Sequence, residues 1–313
     1  MKQVHVVTPL WPSRALSAAA NTPVLLKMEA FQPVGSFKAR GMGAACRASY
    51  EAGVEHVVCA SGGNAGYAVA YAGRQLGLEV TIVVPETTTA RAQDLIAGEG
   101  ASVIIHGAAY DDAQAYALDF ARKQKANCVH PFDDPQVWAG NAGIVPEIAA
   151  EGVKPGLLVV AVGGGGLLCG VAPGLQAQGW GDVPLLAVET RGADSFACSV
   201  RAGRLVTLER ISSMATSLAA RTVTARALEW TRHHAITPWV VTDREAVDAC
   251  LAFADDHRVL VEPACGAALS VAYNRVAPLE GRGPVVIIVC GGAGVTRELL
   301  EKWDAETPRS REG

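Results

Sequence analysis

Two mostly parallel β-sheets, each flanked by helices, are what this 313-residue sequence predicts. Three observations carry that α/β reading. Short runs of Val, Ile, Leu and Ala recur without polar alternation, as expected of strands buried on both faces. Helical stretches of about 10–15 residues separate them, which is the spacing of βαβ units. Gly-rich turns follow the strands at 61–66, 163–166 and 291–294.

Taken in order, the apolar run at 57–60 predicts a strand, and a helix over 65–76 follows its Gly-rich turn. The run 80–84, closed by Pro85, is the next strand. A helix over 89–98, a strand over 102–105 and an amphipathic helix over 110–125 come after it. The second half repeats this grammar without repeating the sequence, with strands at 157–162, 185–188 and 285–289. The stretch 157–175 is uncharged, but four glycines and Pro173 interrupt it, so strand, loop and helix is a better reading than a membrane span. The length suggests about two domains, and Asp133-Asp134-Pro135 is the best boundary between them.

Half of the residues are apolar, enough for a large core. A net charge of −4 and an isoelectric point near 6.0 leave no basic footprint, so nucleic acid is not an expected partner. The eight cysteines form no Cys-x-x-Cys pair, which fits reduced thiols in a cytosol better than disulfides or a zinc site. His5, Pro9 and Pro12 break up the N-terminus, so no signal peptide is expected. The expectation is a soluble, cytoplasmic protein acting on a small molecule.

Lys38 is the most informative residue, a lone cation framed by Gly35, Ser36 and Phe37. Burial disfavours the ammonium, and a neutral lysine is a nucleophile suited to Schiff-base chemistry. From this stretch alone, a surface lysine opening a helix is the safer reading. The company it keeps overturns that. Ser61-Gly62-Gly63-Asn64-Ala65-Gly66 stands between a strand and a helix, where bare backbone N–H groups suit a carboxylate or phosphate, although a plain tight turn reads equally well. Gly163-Gly164-Gly165-Gly166-Leu167 is the natural phosphate cradle. A dinucleotide fingerprint fits it poorly, since Leu168 stands where a third glycine is needed. Cys290 ends an apolar strand and is either a crevice residue or a packed core thiol. Glu189 reads as a carboxylate ligand or, more safely, an exposed strand-end acid. His233-His234 lacks a zinc-protease frame, and there is no Gly-x-Ser-x-Gly elbow.

Together, Thr8-Pro9-Leu10, Gly35-Ser36-Phe37-Lys38-Ala39-Arg40-Gly41, the turns at 61–66 and 163–166, Val289-Cys290-Gly291-Gly292 and Val261-Glu262-Pro263-Ala264-Cys265-Gly266 resemble the fold-type II pyridoxal-phosphate enzymes. Within these the chain is most similar to the L-serine dehydratase family, related to threonine dehydratase. The resemblance runs in order over nearly the whole chain. It implies a large domain of residues 1–31 and 134–313 and a small one of 32–133. Lys38 resembles the Schiff-base lysine, with Phe37 on one face of the cofactor ring and Ser217 near the other. Asn64 would bond the ring's phenolic oxygen, and Gly163, Gly164, Gly165, Gly166 and Leu167 would hold the phosphate. Cys290 would face the ring nitrogen, while Ser61, Gly62, Gly63 and Ala65 would receive the substrate carboxylate. Potassium would lie on Glu189 with carbonyls of Gly163, Ala193, Leu218 and Ala220; Ser195 replaces an acid that related enzymes place there, which favours a monovalent cation.

The implied activity is α,β-elimination from L-serine, and also from L-threonine, by a homodimeric lyase. Cys290 supports it because a neutral thiol cannot hold the ring nitrogen protonated, which favours expulsion of the leaving group over transamination. Racemases of this fold carry a serine base where Gly62 stands, so racemisation is expected to be minor. The chain ends soon after its last helix, so no regulatory domain is expected. The alternatives are a β-replacement synthase of the cysteine-synthase type, a serine racemase, a nicotinamide-dependent oxidoreductase using the 163–166 turn, and a non-catalytic amino-acid-binding protein.

Overall fold

The computed structural model describes residues 4–307, so the ends of the expected large domain, 1–3 and 308–313, lie outside the described residues. Its strands run in chain order as β1 (Leu10–Pro12), β2 (Val24–Lys27), β3 (His56–Ala60), β4 (Glu79–Val84), β5 (Ser102–Ile105), β6 (Asn127–Cys128), β7 (Leu157–Ala161), β8 (Leu185–Thr190), β9 (Ile236–Val241) and β10 (Val285–Ile288). They fall in two units. One holds the chain up to Val6 and Gln32–Asn141; the other holds Val7–Phe31 and the chain from Ala142 onward.

The first unit is a four-stranded parallel sheet in the order β5-β4-β3-β6. Alternate residues of the central strands feed two cores. Val57, Cys59, Ile82 and Val84 pack with Met42, Ala68, Val69 and Ala72 from the helices Lys38–Glu51 and Asn64–Leu76. Val58, Ala60 and Val83 pack on the other face with Ala113, Ala117 and Ala121, an i, i+4 stripe of the helix Tyr110–Gln124. Burial on both faces is why these strands lack polar alternation. The helix Pro135–Ala142 stays with this unit through its close packing: a Cβ on Gly140 would lie 2.5 Å from the Arg40 carbonyl oxygen.

The second unit is a six-stranded sheet in the order β1-β2-β10-β7-β8-β9, parallel except for β1. Its central strands β7, β8 and β10 are buried throughout. The sequence reading found those three and missed β1, β2 and β9. Pro12 in β1 and Pro238 in β9 argue against strands, yet both lie in edge strands, where a missing N–H is tolerated. Lys27 closes β2 with a buried ammonium that ion-pairs with Glu147 and donates to the Thr8 carbonyl at 2.6 Å.

Local chemistry moved several boundaries by a residue or two. Thr89 is the N-cap of its helix rather than a member of it, its hydroxyl accepting the Ala92 N–H. Lys125 ends the helix before it in a left-handed conformation, with φ of 55°. None of the eight cysteines is in a disulfide.

Parallel strands point the same way, so each sheet gathers its strand-to-helix turns along one edge. In the first unit, β4, β3 and β6 lead into Thr88, the 61–66 turn and Pro131 respectively. In the second, the neighbours β10, β7 and β8 lead into Cys290, the 163–166 turn and the segment after Glu189.

Candidate active site

Lys38 is the first residue of its helix, half-buried, and its Nζ donates to the Pro131 carbonyl at 2.6 Å. The ammonium also lies 5.3 Å from the centre of the Phe37 ring, within cation–π range. The segment carrying Pro131 is fixed on both sides. Val129 N–H bonds the Val58 carbonyl of β3, and His130 Nδ1 accepts the N–H groups of Asp133 at 2.8 Å and Phe132 at 3.3 Å. Burial holds the His130 pKa below its ordinary value, Asp133 opposes that, and the Lys38 charge adds to it. The imidazole is therefore a neutral acceptor. Ser36, two residues before Lys38, buries a hydroxyl that has no hydrogen-bond partner among the described residues.

The 61–66 turn leaves β3 and opens the helix Asn64–Leu76. Ser61 Oγ accepts the Gly63 N–H at 3.3 Å. Gly66 is glycine because a Cβ there would stand 1.9 Å from the Ser61 carbonyl oxygen. Around Gly63, by contrast, the space a Cβ would fill is open, so the turn presents bare backbone to a ligand. Asn64 and Ala65 form the first turn of the helix, whose leading N–H groups have no carbonyl of their own helix to bond.

The second unit carries the other expected groups. The 163–166 turn leaves β7 and leads into the helix Leu168–Ala177. Gly165 has φ of +91°, a conformation that favours glycine, and a Cβ on Gly163 would lie 2.9 Å from Leu218 Cα. The Thr224 N–H bonds the Gly164 carbonyl at 3.0 Å and closes the turn from outside. The segment bearing exposed Ser217 and buried Leu218 is anchored by Ser213, whose hydroxyl meets Thr190 Oγ1 at 2.7 Å and donates to Asp243 at 2.6 Å.

Cys290 follows β10 and is buried. A hydrogen bond with Cys265 and burial together hold its thiol far above the ordinary thiol pKa, so it is neutral. Glu262 lies against the same loop, its carboxyl carbon 2.7 Å from where a Cβ of Gly292 would sit. Glu189 is not an exposed strand-end acid. It is fully buried inside β8, with Oε1 accepting the Phe196 N–H at 2.9 Å and Oε2 the Ala197 N–H at 2.7 Å. Burial pushes its pKa up to about 8 against those two bonds. No group of three His, Cys, Asp or Glu that would hold a metal occurs among the described residues.

The first unit therefore places Phe37, Lys38, Ser61, Gly62, Gly63, Asn64 and Ala65 along one sheet edge. The second does the same for the 163–167 segment, Ser217, Cys290 and Glu189, with Ala193, Leu218 and Ala220 on the adjoining turns. In the first unit the Lys38 amine is chemistry that suits an aldehyde; in the second, a bare-backbone turn suits a phosphate and a neutral thiol suits an uncharged ring nitrogen, the groups that pyridoxal phosphate carries. Sequence reasoning missed Pro131, His130 and Thr88. The first acts through a carbonyl that every residue has, and the others carry no motif of their own.

Known proteins resemble this chain over nearly its whole length. The family model for pyridoxal-phosphate dependent enzymes matches residues 1–291. The chain is 50% identical over 305 residues to a human protein named serine dehydratase-like, covering 94% of this chain and 93% of that one. It is 48% identical over 307 residues to the human L-serine dehydratase/L-threonine deaminase, covering 95% and 94%. Among solved structures, the fungal L-serine ammonia-lyase from Rhizomucor miehei matches with a TM-score of 0.92 at 37% identity, covering 97% of this chain and 99% of that one. The chain belongs to the pyridoxal-phosphate dependent enzyme family, with the two-sheet α/β architecture of its fold-type II members.

Proposed function

We propose that this enzyme is an L-serine ammonia-lyase that also accepts L-threonine, converting them to pyruvate or 2-oxobutyrate and ammonia. The observation that carries the reading is Lys38 at the head of its helix, its amine held on the Pro131 carbonyl beside the Phe37 ring. The names of relatives that match almost end to end support the substrate class.

Pyridoxal phosphate, when bound, supplies an electron sink for the bond breaking at Cα. The chain does the rest. Lys38 would hold the cofactor through its amine and, with that amine free, would serve as the base for the Cα proton. Ser61, Gly62, Gly63 and Ala65 receive the substrate carboxylate on bare backbone and the helix N-terminus. Asn64 would bond the ring's phenolic oxygen, Phe37 and Ser217 would flank the ring, and Gly163, Gly164, Gly165, Gly166 and Leu167 would hold the phosphate. Cys290, neutral and tied to Cys265, would face the ring nitrogen without charging it, which would favour loss of the β-hydroxyl over transamination. Glu189 with carbonyls of Gly163, Ala193, Leu218 and Ala220 holds potassium, which keeps the 163–166 turn and the Leu218 segment in place.

In this reading the enzyme is a cytoplasmic homodimer; no helix among the described residues is long and apolar enough to cross a membrane. The deciding experiment measures pyruvate and 2-oxobutyrate from L-serine and L-threonine, with potassium or choline as the cation. Pyruvate from L-serine, lost in Lys38→Ala, is the expected result. Thioether or cysteine formation from O-acetylserine and a thiol, without 2-oxo acid, would replace the reading with β-replacement.

A further inference from the structure

Gly62 has a backbone outside the left-handed region, so its φ does not require glycine. What requires it is one side chain. A Cβ at this position would lie 2.3 Å from Thr88 Oγ1, 2.6 Å from its Cγ2 and 3.0 Å from its Cβ, and these are the three nearest atoms it would meet. Rotating Thr88 does not clear the space. Two of the three staggered positions on its Cβ face Gly62, and threonine fills two positions with heavy atoms, so one always remains in the way. Nor can Thr88 easily retreat. Its N–H bonds the Pro85 carbonyl at 3.0 Å, its carbonyl accepts Gln93 Nε2 at 2.9 Å, and the next residue caps a helix. Gly66 in the same turn differs in kind, since its obstacle is a main-chain carbonyl that no substitution removes.

We propose that Thr88 is a specificity-determining residue that bars any side chain from position 62 and thereby keeps the carboxylate-binding turn free of a second proton-transfer group. The inference rests on the proposed lyase reading. If Lys38 serves one face of Cα and the 61–66 turn grips the carboxylate attached to that same carbon, a hydroxyl at position 62 is the group best placed to exchange a proton from elsewhere around Cα. With Thr88 in the way, the position stays bare, and a substrate that loses its Cα proton proceeds to elimination or takes the proton back from Lys38. Thr88 acts here through residue 62, as a positioning residue, and touches no reacting atom itself.

A four-protein cycle tests this: wild type, Gly62→Ser, Thr88→Ala and the double variant, each measured as purified. The expected result is a loss of about 5 °C or more in Tm for Gly62→Ser, with Thr88→Ala within about 2 °C of wild type and the double variant close to Thr88→Ala. The functional readout is inversion of L-alanine, which has no leaving group, followed by chiral chromatography. The double variant is expected to form D-alanine about tenfold or more faster than wild type and Thr88→Ala. If Gly62→Ser fails to fold, Gly62→Ala replaces it in both backgrounds. Additive Tm losses would overturn the steric claim, and restored stability without faster inversion would overturn its catalytic consequence. Absence of pyruvate from wild type and L-serine would instead strike the lyase reading, while the Tm cycle, which needs no substrate, would still decide whether Thr88 excludes position 62.

Discussion

The turns at 61–66 and 163–166 look alike in sequence, yet their glycines answer to different physics. Both leave a buried parallel strand and open a helix. In the first, the crowded glycines have ordinary φ and are required by close approach, to Thr88 at Gly62 and to the Ser61 carbonyl at Gly66. In the second, Gly165 is required by its own dihedral, φ +91°, whatever the neighbours do. The constraint on Gly62, set by one side chain, can be retuned by changing that side chain; the main-chain contacts of Gly66 and Gly163 and the dihedral of Gly165 cannot. The proposed chemistry divides the same way, with Lys38 on the first edge and the proposed phosphate turn and Cys290 on the second.

That division predicts which measurement each substitution moves. Lys38→Ala should have the largest effect, lowering kcat by on the order of 1,000-fold or more. The phosphate cradle is untouched, so the variant should still bind pyridoxal phosphate, seen by equilibrium dialysis. Complete loss of binding would mean the cradle contributes little by itself. Gly165→Ala should do the reverse. A side chain at positive φ costs about 1–2 kcal/mol, and overlap with the Ala227 methyl, 2.8 Å from the new Cβ, adds more. Cofactor affinity should fall about 10- to 100-fold, with kcat at saturating cofactor changed far less.

Within the first turn, Gly66 and Gly63 sharpen the contrast. Gly66→Ala drives a methyl into a carbonyl oxygen, at a cost on the order of 3 kcal/mol, visible as a lower Tm. Gly63→Ala meets nothing within 4 Å and should change stability by about 0.5 kcal/mol or less, while the proposed carboxylate site predicts a raised KM. An unchanged KM would remove Gly63 from the carboxylate site.

The sequence made legible what depends on pattern. Strands buried on both faces showed as apolar runs, and the Gly-rich runs at 61–66 and 163–166 marked real strand-to-helix connections, so both sheet cores and both edges were visible. What stayed hidden depends on partners distant in sequence. β1, β2 and β9 are short or proline-bearing and become strands only because a neighbour pairs with them. Thr88 looks like any residue of a Thr-rich loop until β4 brings it against Gly62. The Pro131 carbonyl that holds Lys38 leaves no trace in composition. Glu189 was read more safely as exposed, because strand ends usually are; here the helix after it covers it and caps its carboxylate.

Glu189 yields the effect that tests the cation. Its pKa is raised from 4.5 to about 8 by burial, so folding favours the protonated acid. A raised acid contributes stability that is fully present below its unfolded value and lost as pH rises through the folded one. In choline buffer, Tm should therefore fall between pH 6 and pH 9. A cation needs the carboxylate ionised, so it competes with the proton and gains as the proton leaves. Potassium at equal ionic strength should raise Tm little at pH 6 and by a few degrees at pH 9, and Glu189→Gln should remove both the pH dependence and the potassium increment. Equal potassium increments at the two pH values would place the cation elsewhere, and the carboxylate would then serve only to cap the helix Ser195–Ala202.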